Sequence, residues 1–266
     1  MTAARFRAAH GPERLLVLPN IWDAGSARLV EQAGAEAIAT SSAAVAWAHG
    51  HRDGEDLPFD RLVATVEAIA RVVSVPVTVD FEGGYGDDPA AVAAAVMRLI
   101  EAGAAGVNLE DGGAPPDLLA RKLAAVRAAA STRGVDVFLN ARTDVYLRRL
   151  VPSEQAAAET LARARLYAGA GSDGLFVPGL TAPADLAAIA GGIDRPLNVM
   201  AAPGLAPIAE LRRLGVRRLS VGPRLFEAAF AAVRRATVEL LEQGTYGALL
   251  GEAPTYAELN ALFPAR

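Results

Sequence analysis

The chain has 266 residues, of which 52% are hydrophobic and 21% charged, with a formal net charge of −4 and a pI near 5.5. That length and apolar content can bury a large core, while the acidic balance and scattered arginines exclude an extended nucleic-acid face. Cysteine is absent, so disulfides, thiolate metal sites and a cysteine nucleophile are excluded as well. The opening stretch MTAARFRAAHGPERLL lacks the apolar core of a signal peptide, and no window reaches the roughly 18 apolar residues of a membrane span. A cytoplasmic protein acting on a small molecule, with no membrane or nucleic-acid partner, is expected.

Short β-rich runs recur at 15–20, 37–41, 75–82, 106–111, 137–144, 174–179, 196–201 and 217–223. Segments with helical spacing lie between them, as at 90–102, 118–131 and 154–170. Several end in a glycine before the next strand (Gly34, Gly103, Gly171, Gly215), where a left-handed cap is wanted. This alternation predicts a (β/α)8 TIM barrel of α/β class spanning 1–266, with 225–266 as a C-terminal helical extension. A doubly wound open sheet is the alternative, but no dinucleotide glycine fingerprint follows the first strand, and Gly83-Gly84-Tyr85-Gly86 reads as a tight turn.

In a barrel the chemistry belongs at the C-terminal strand ends. Alternation along the third run places Val77, Val79 and Phe81 on one face and Thr78, Asp80 and Glu82 on the other. The fourth run closes in Asn108-Leu109-Glu110-Asp111, and the fifth carries Asn140, Arg142 and Asp144 at alternate positions, with Leu139 and Ala141 facing the helices. Asp80, Glu82 and Glu110 crowded on one rim would repel each other without a cation, and Mg²⁺ prefers a few carboxylates plus water. The planar fork of Arg142 suits a substrate carboxylate or phosphonate. In the loop after the second run, His49 and His51 sit beside Arg52 and read as hydrogen-bonded or solvated side chains, not ligands.

At these residues the sequence resembles the isocitrate lyase/phosphoenolpyruvate mutase superfamily. The shared blocks are Asn20-Ile21-Trp22-Asp23-Ala24-Gly25-Ser26-Ala27, Ala39-Thr40-Ser41-Ser42, Arg52-Asp53-Gly54-Glu55, Val79-Asp80-Phe81-Glu82-Gly83-Gly84-Tyr85-Gly86-Asp87, Gly106-Val107-Asn108-Leu109-Glu110-Asp111, Asn140-Ala141-Arg142-Thr143-Asp144 and Phe176-Val177-Pro178-Gly179. The resemblance implies a barrel whose C-terminal helix is swapped between subunits, a dimer of dimers, and Mg²⁺ or Mn²⁺ in the mouth. It implies Asp80 as the direct metal ligand, with Asp53, Glu82 and Glu110 reaching the ion mainly through water. Ser42, the amides near Ala43, Ser41 and Asn108 would bind an α-oxocarboxylate, Arg142 would hold a further anionic group, and Asp53, Arg142 and Glu110 would serve catalysis around an enolate.

The departures matter for the reaction. The loop after the fourth strand reads Asp111-Gly112-Gly113-Ala114-Pro115-Pro116-Asp117, without the Cys, Lys or His of the isocitrate and methylisocitrate lyases and without the Lys and Asn of the phosphonate mutases. Lys122, where a helix resumes, reads as a surface residue. Pro178 stands where relatives place Glu or His, and Glu82 where Asp is usual. For the proton donor a water of the metal shell and Ser41 are the candidates. The expected function is a carbon–carbon lyase or decarboxylase acting on a small α-oxo or 2-hydroxy acid with more than one carboxylate. A P–C bond enzyme of phosphoenolpyruvate mutase or phosphonopyruvate hydrolase type is the alternative, and a non-catalytic binder of an oxalate-like metabolite is the third reading. Selectivity is expected from Pro178, from Asn198-Val199-Met200 and from Ser220-Val221-Gly222. The apolar circumference of 225–243, followed by a short helix at 256–263, points to a subunit contact, with closure of the barrel bottom as the other use.

Overall fold

Pro19 has no amide proton to donate to a ladder, and it divides the first strand into β1 (Leu16–Leu18) and β2 (Asn20–Ile21). In the computed structural model, which describes residues 3–11, 14–251 and 253–263, seven further strands follow: β3 (Ile38–Thr40), β4 (Val77–Asp80), β5 (Gly106–Glu110), β6 (Phe138–Arg142), β7 (Gly174–Phe176), β8 (Leu197–Met200) and β9 (Val216–Ser220). All pair in parallel in the order β1-β9-β8-β7-β6-β5-β4-β3-β2. Because β1 and β2 are two halves of one run, the sheet closes on itself as a (β/α)8 barrel, and the open-sheet alternative is set aside. Each predicted run contains its strand to within one residue: β2 reaches Ile21, one past its run, and β9 starts at Val216, one before its run.

The helices are α1 (Ala3–Ala8), α2 (Ala24–Gln32), α3 (Ser42–Ala48), α4 (Phe59–Val72), α5 (Pro89–Glu101), α6 (Pro116–Arg133), α7 (Ser153–Gly169), α8 (Pro183–Gly191), α9 (Ile208–Arg213), α10 (Arg224–Val238), α11 (Gly247–Leu250) and α12 (Tyr256–Ala261). The four glycines foreseen at helix ends all adopt positive φ. At Gly103 the reason is also steric, since a Cβ there would meet that of Ala70 at 2.5 Å.

Alternation sorts the strand residues into two layers. Val79, Phe81, Val107, Leu109, Leu139 and Ala141 face outward and form the main core with α5, α6 and their neighbours. Facing inward is a buried polar layer that includes Asn20, Thr78, Asn108, Asn140, Asn198, Arg218 and Ser220. Below it the barrel is filled by apolar side chains: Phe6 of α1 packs with Leu16, Leu18, Ala37, Ala39, Ala105 and Phe138. The bottom is thus closed by α1, not by the C-terminal helices.

Helix α10 buries only Phe226 and Ala236, leaving Phe230 55% and Val233 62% exposed. It runs on through a π turn at Glu239–Gln243 to the left-handed Gly244. Beside β1, a groove of about 540 Å³ lined by Leu15, Val17, Val30, Val221 and Leu225 lies bare where a barrel helix would normally rest. Among the described residues no helix is long and apolar enough to cross a membrane.

Candidate active site

Strand β4 ends at Asp80, and the chain then turns through positive φ at Glu82, Gly84, Tyr85 and Gly86. Glu82 is therefore brought beside Asp80 by a turn, and strand alternation, which stops at Asp80, does not place it. Only glycine fits at position 84, where a Cβ would lie 2.9 Å from Val92. A reciprocal clip joins this turn to the loop after α3: the Glu55 amide donates to Glu82 Oε2 at 2.8 Å, and the Tyr85 amide donates to Glu55 Oε1 at 2.8 Å. The clip carries Asp53 to the barrel mouth.

One cavity of about 230 Å³ at the C-terminal end of the barrel is lined by Ser41, Ser42, Ala43, Asp53, Asp80, Asn108 and Arg142 together. Seven of the nine residues anticipated from sequence are thereby gathered. Glu82 and Glu110 line a neighbouring cavity of about 250 Å³ and reach the same cluster from its other side. The remaining wall was partly foreseen, in Pro178, Met200, Ser220 and Gly222; Trp47, Leu147, Phe176 and Arg218 were not. His49 bonds the Thr65 hydroxyl at 3.0 Å and His51 lies 3.4 Å from Asp56, so neither faces the site. Lys122 is buried, contrary to its expected surface position: its Nζ donates to the Gly83 carbonyl at 2.8 Å and braces the turn after Glu82.

The first amide of α3, from Ser42, donates to Asp80 Oδ2 at 3.3 Å, and the Asp80 amide donates to Thr40 Oγ1 at 2.9 Å. Oδ1 of Asp80 is buried without a partner. Across the mouth, Arg142 meets Glu110 at 2.6 Å and grips Asp144 through Nε at 2.7 Å and Nη2 at 3.2 Å. Asp144 is fully buried and takes a further bond from Arg148 at 2.9 Å. Its amide donates to Asp111 Oδ1 at 3.0 Å, and Asp111 is anchored by Arg163 at 2.8 Å and the Tyr167 hydroxyl at 2.7 Å. A chain of buried charge-assisted bonds thus fixes the guanidinium of Arg142.

The acids disturb one another. Burial, then the charges of Asp53 and Asp80, push the Glu82 carboxyl from 4.5 up to about 7. Burial raises Glu110 to about 8, the charges of Asp80, Asp144 and Glu82 adding to it and Arg142 opposing. Asp53 is raised by desolvation, with Asp80 adding to it. Such crowding, with a partnerless Asp80 oxygen, fits a divalent cation. Among the described residues no three His, Cys, Asp or Glu side chains form a ready-made metal cage.

Raised carboxyl pKa values mean that the folded state holds protons the unfolded chain has already released. This stabilisation is complete below 4.5 and is lost as pH rises through about 7 for Glu82 and about 8 for Glu110. Without metal, in EDTA, the free energy of unfolding is expected to fall by at least about 3 kcal/mol across that window, the size of the Glu82 shift alone, with coupling between the two acids limiting what Glu110 adds. Urea melts along a pH series would show it, and a flat profile would contradict the crowding.

Residues 6–241 match the phosphoenolpyruvate phosphomutase family. An uncharacterised protein of Mycobacterium tuberculosis is 37% identical over 249 residues, covering 92% of this chain and 90% of that one. An oxaloacetate decarboxylase of Bradyrhizobium is 32% identical over 240 residues, covering 86% of this chain and 80% of that one. The crystal structure of a candidate phosphonomutase from Burkholderia cenocepacia superposes with a TM-score of 0.85 at 44% identity, covering 89% of this chain and 98% of that one. With the closed barrel and the acidic mouth, these likenesses place the chain in the phosphoenolpyruvate mutase/isocitrate lyase superfamily of lyases and mutases.

Proposed function

We propose that this protein is a Mg²⁺- or Mn²⁺-dependent lyase that breaks a carbon–carbon bond of a small α-oxo or 2-hydroxy acid with more than one carboxylate, decarboxylation of an oxaloacetate-like substrate being the simplest case. The observation that carries this reading is the single cavity in which Asp80, the amide end of α3 and Arg142 face one another beneath apolar walls. Asp80 would hold the cation directly, with Asp53, Glu82 and Glu110 reaching it through water. When bound, the ion supplies Lewis-acid stabilisation of a developing enolate. Ser42 and the amides near Ala43 hold the α-oxocarboxylate, while Asn108 lines the wall beside it.

Trp47, Leu147, Phe176, Pro178 and Met200 surround the far part of the cavity. A carboxylate leaving into such walls is less solvated than in water, which favours its departure as carbon dioxide. The electron pair of the breaking bond passes to the substrate's oxo oxygen, and a proton then adds to carbon from Ser41 or water. The test is pyruvate release from oxaloacetate, 2-methylisocitrate, dimethylmalate and phosphonopyruvate, with Mg²⁺ and with EDTA, glyoxylate being followed when isocitrate is offered. Mg²⁺-dependent pyruvate from a carbon acid is expected. Phosphate with pyruvate from phosphonopyruvate alone would favour the P–C reading, which the Burkholderia cenocepacia likeness supports; Mg²⁺-dependent oxalate binding without any product would leave a metabolite binder.

For assembly we propose a homo-oligomer in which α10 crosses to a partner, as a dimer of dimers. The exposed Phe230 and Val233 of α10 and the bare groove beside β1 are complementary apolar surfaces, each normally covered in a barrel. Val233→Glu is expected to yield a smaller species by light scattering at unchanged helix content. An unchanged mass would contradict the exchange.

A further inference from the structure

Arg218 poses a problem that the proposed chemistry leaves unanswered. It projects inward from β9, is 1% exposed, and forms part of the floor of the active-site cavity. Phe6 covers one face of its guanidinium, with the ring centroid 5.4 Å away. A ring face satisfies the charge but not the N–H groups, which lie in the guanidinium plane. Nη2 makes one long contact, 3.5 Å to Asn108 Oδ1, while Nε and Nη1 have no partner. No ion pair to Arg218 is formed among the described residues, yet the charge of Asp80 acts on it. A buried guanidinium with no ion pair and a single long hydrogen bond is unfavourable, so something must meet the two remaining donors.

The same interior holds the complementary groups. Thr78 Oγ1, Asp80 Oδ1 and Asn140 Oδ1 are buried acceptors without partners. They come from β4 and β6, and Asn108 lies between them on β5. The Asn140 amide is itself fixed, donating to Asn108 Oδ1 at 2.9 Å and Asn198 Oδ1 at 3.2 Å, so its oxygen is the group left over. Orphaned donors and orphaned acceptors within one closed barrel are the conditions under which buried water binds, each molecule needing two to four polar partners.

We propose that Arg218 is a positioning residue that holds the Asp80 carboxylate through water bound between Arg218, Thr78 and Asn140 beneath the cavity. A direct Arg–Asp pair would occupy the carboxylate and compete with a cation; a water-mediated one orients Oδ1 from below and leaves the carboxylate available. This proposal rests on Asp80 being the cation's ligand and deepens that reading.

The test is Mn²⁺ affinity by electron paramagnetic resonance for wild type, Arg218→Met and Thr78→Val, with melting curves in EDTA. Removing a nearby positive charge should by itself tighten binding of a cation. Lost positioning acts in the opposite sense, and Arg218→Met is expected to weaken Mn²⁺ binding about tenfold, in the range seen when groups supporting a metal ligand are removed. Thr78→Val, which preserves shape and leaves Arg218 in place, is expected to weaken it several-fold and carries the test if Arg218→Met does not fold. Unchanged or tighter binding in the folded variants overturns the role of Arg218 while leaving Asp80 as ligand. Absence of Mn²⁺ binding in wild type overturns both. A high-resolution crystal structure would complete the test: water linking Arg218 to Thr78 and Asp80 is expected, and a direct Arg218–Asp80 pair would refute the bridge.

Discussion

Asp80→Asn is expected to abolish metal-dependent turnover, lowering kcat/KM by about 10³-fold or more, because it removes the only carboxylate assigned direct contact with the cation. The folded protein should tolerate the change. Asp80 repels Asp53, Glu82 and Glu110 but attracts Arg142 and Arg218, so its charge has opposing effects on stability. A near-wild-type melting temperature with lost Mn²⁺ binding is therefore the expected signature, and unchanged Mn²⁺ affinity would sink the metal assignment.

Arg142→Met should damage both fold and function. The substitution leaves Asp144, fully buried, with Arg148 as its remaining cation, and deprives Glu110 of its ion pair. Breaking a buried pair from one side costs about 3–5 kcal/mol, or roughly 10 °C in melting temperature for a chain of this size. Arg142→Lys separates the two roles. It keeps the charge and loses the fork, so it should recover part of the stability while KM for the acid substrate stays high. If Arg142→Lys instead restores KM fully, the guanidinium does not touch substrate.

The barrel and most of its mouth were legible in the sequence for a physical reason. The strands are short, largely apolar runs, and those that build the mouth end in polar residues such as Asp80, Glu110 and Arg142; a strand's period of two leaves little freedom about which residues look inward once Leu139 and Ala141 are assigned to the helices. Other features obeyed rules that a linear pattern does not carry. Arg217-Arg218 looks like an exposed basic pair, and only closure of the barrel decides that the second member points inside. Lys122 sits in an alanine-rich helix without a strong apolar stripe, so nothing local marks it as buried; the Gly83 carbonyl that receives it lies on another element. Glu82 reached its place through left-handed backbone after the strand. Trp47 and Leu147 joined the cavity from loop-proximal positions whose direction depends on the turns that carry them.

The seam of the barrel has a consequence for synthesis. Leu16 pairs with Arg218, so β1 waits on the ribosome for almost the whole chain before it finds its neighbour, although β2 can join β3 early. Until then Phe6 has no Arg218 to cover, and the polar interior stands open to solvent. Ring closure is thus a late, entropically demanding step, and a nascent chain stalled before β9 would expose an unpaired β1 edge and an unfilled interior, the features by which chaperones engage unfinished proteins.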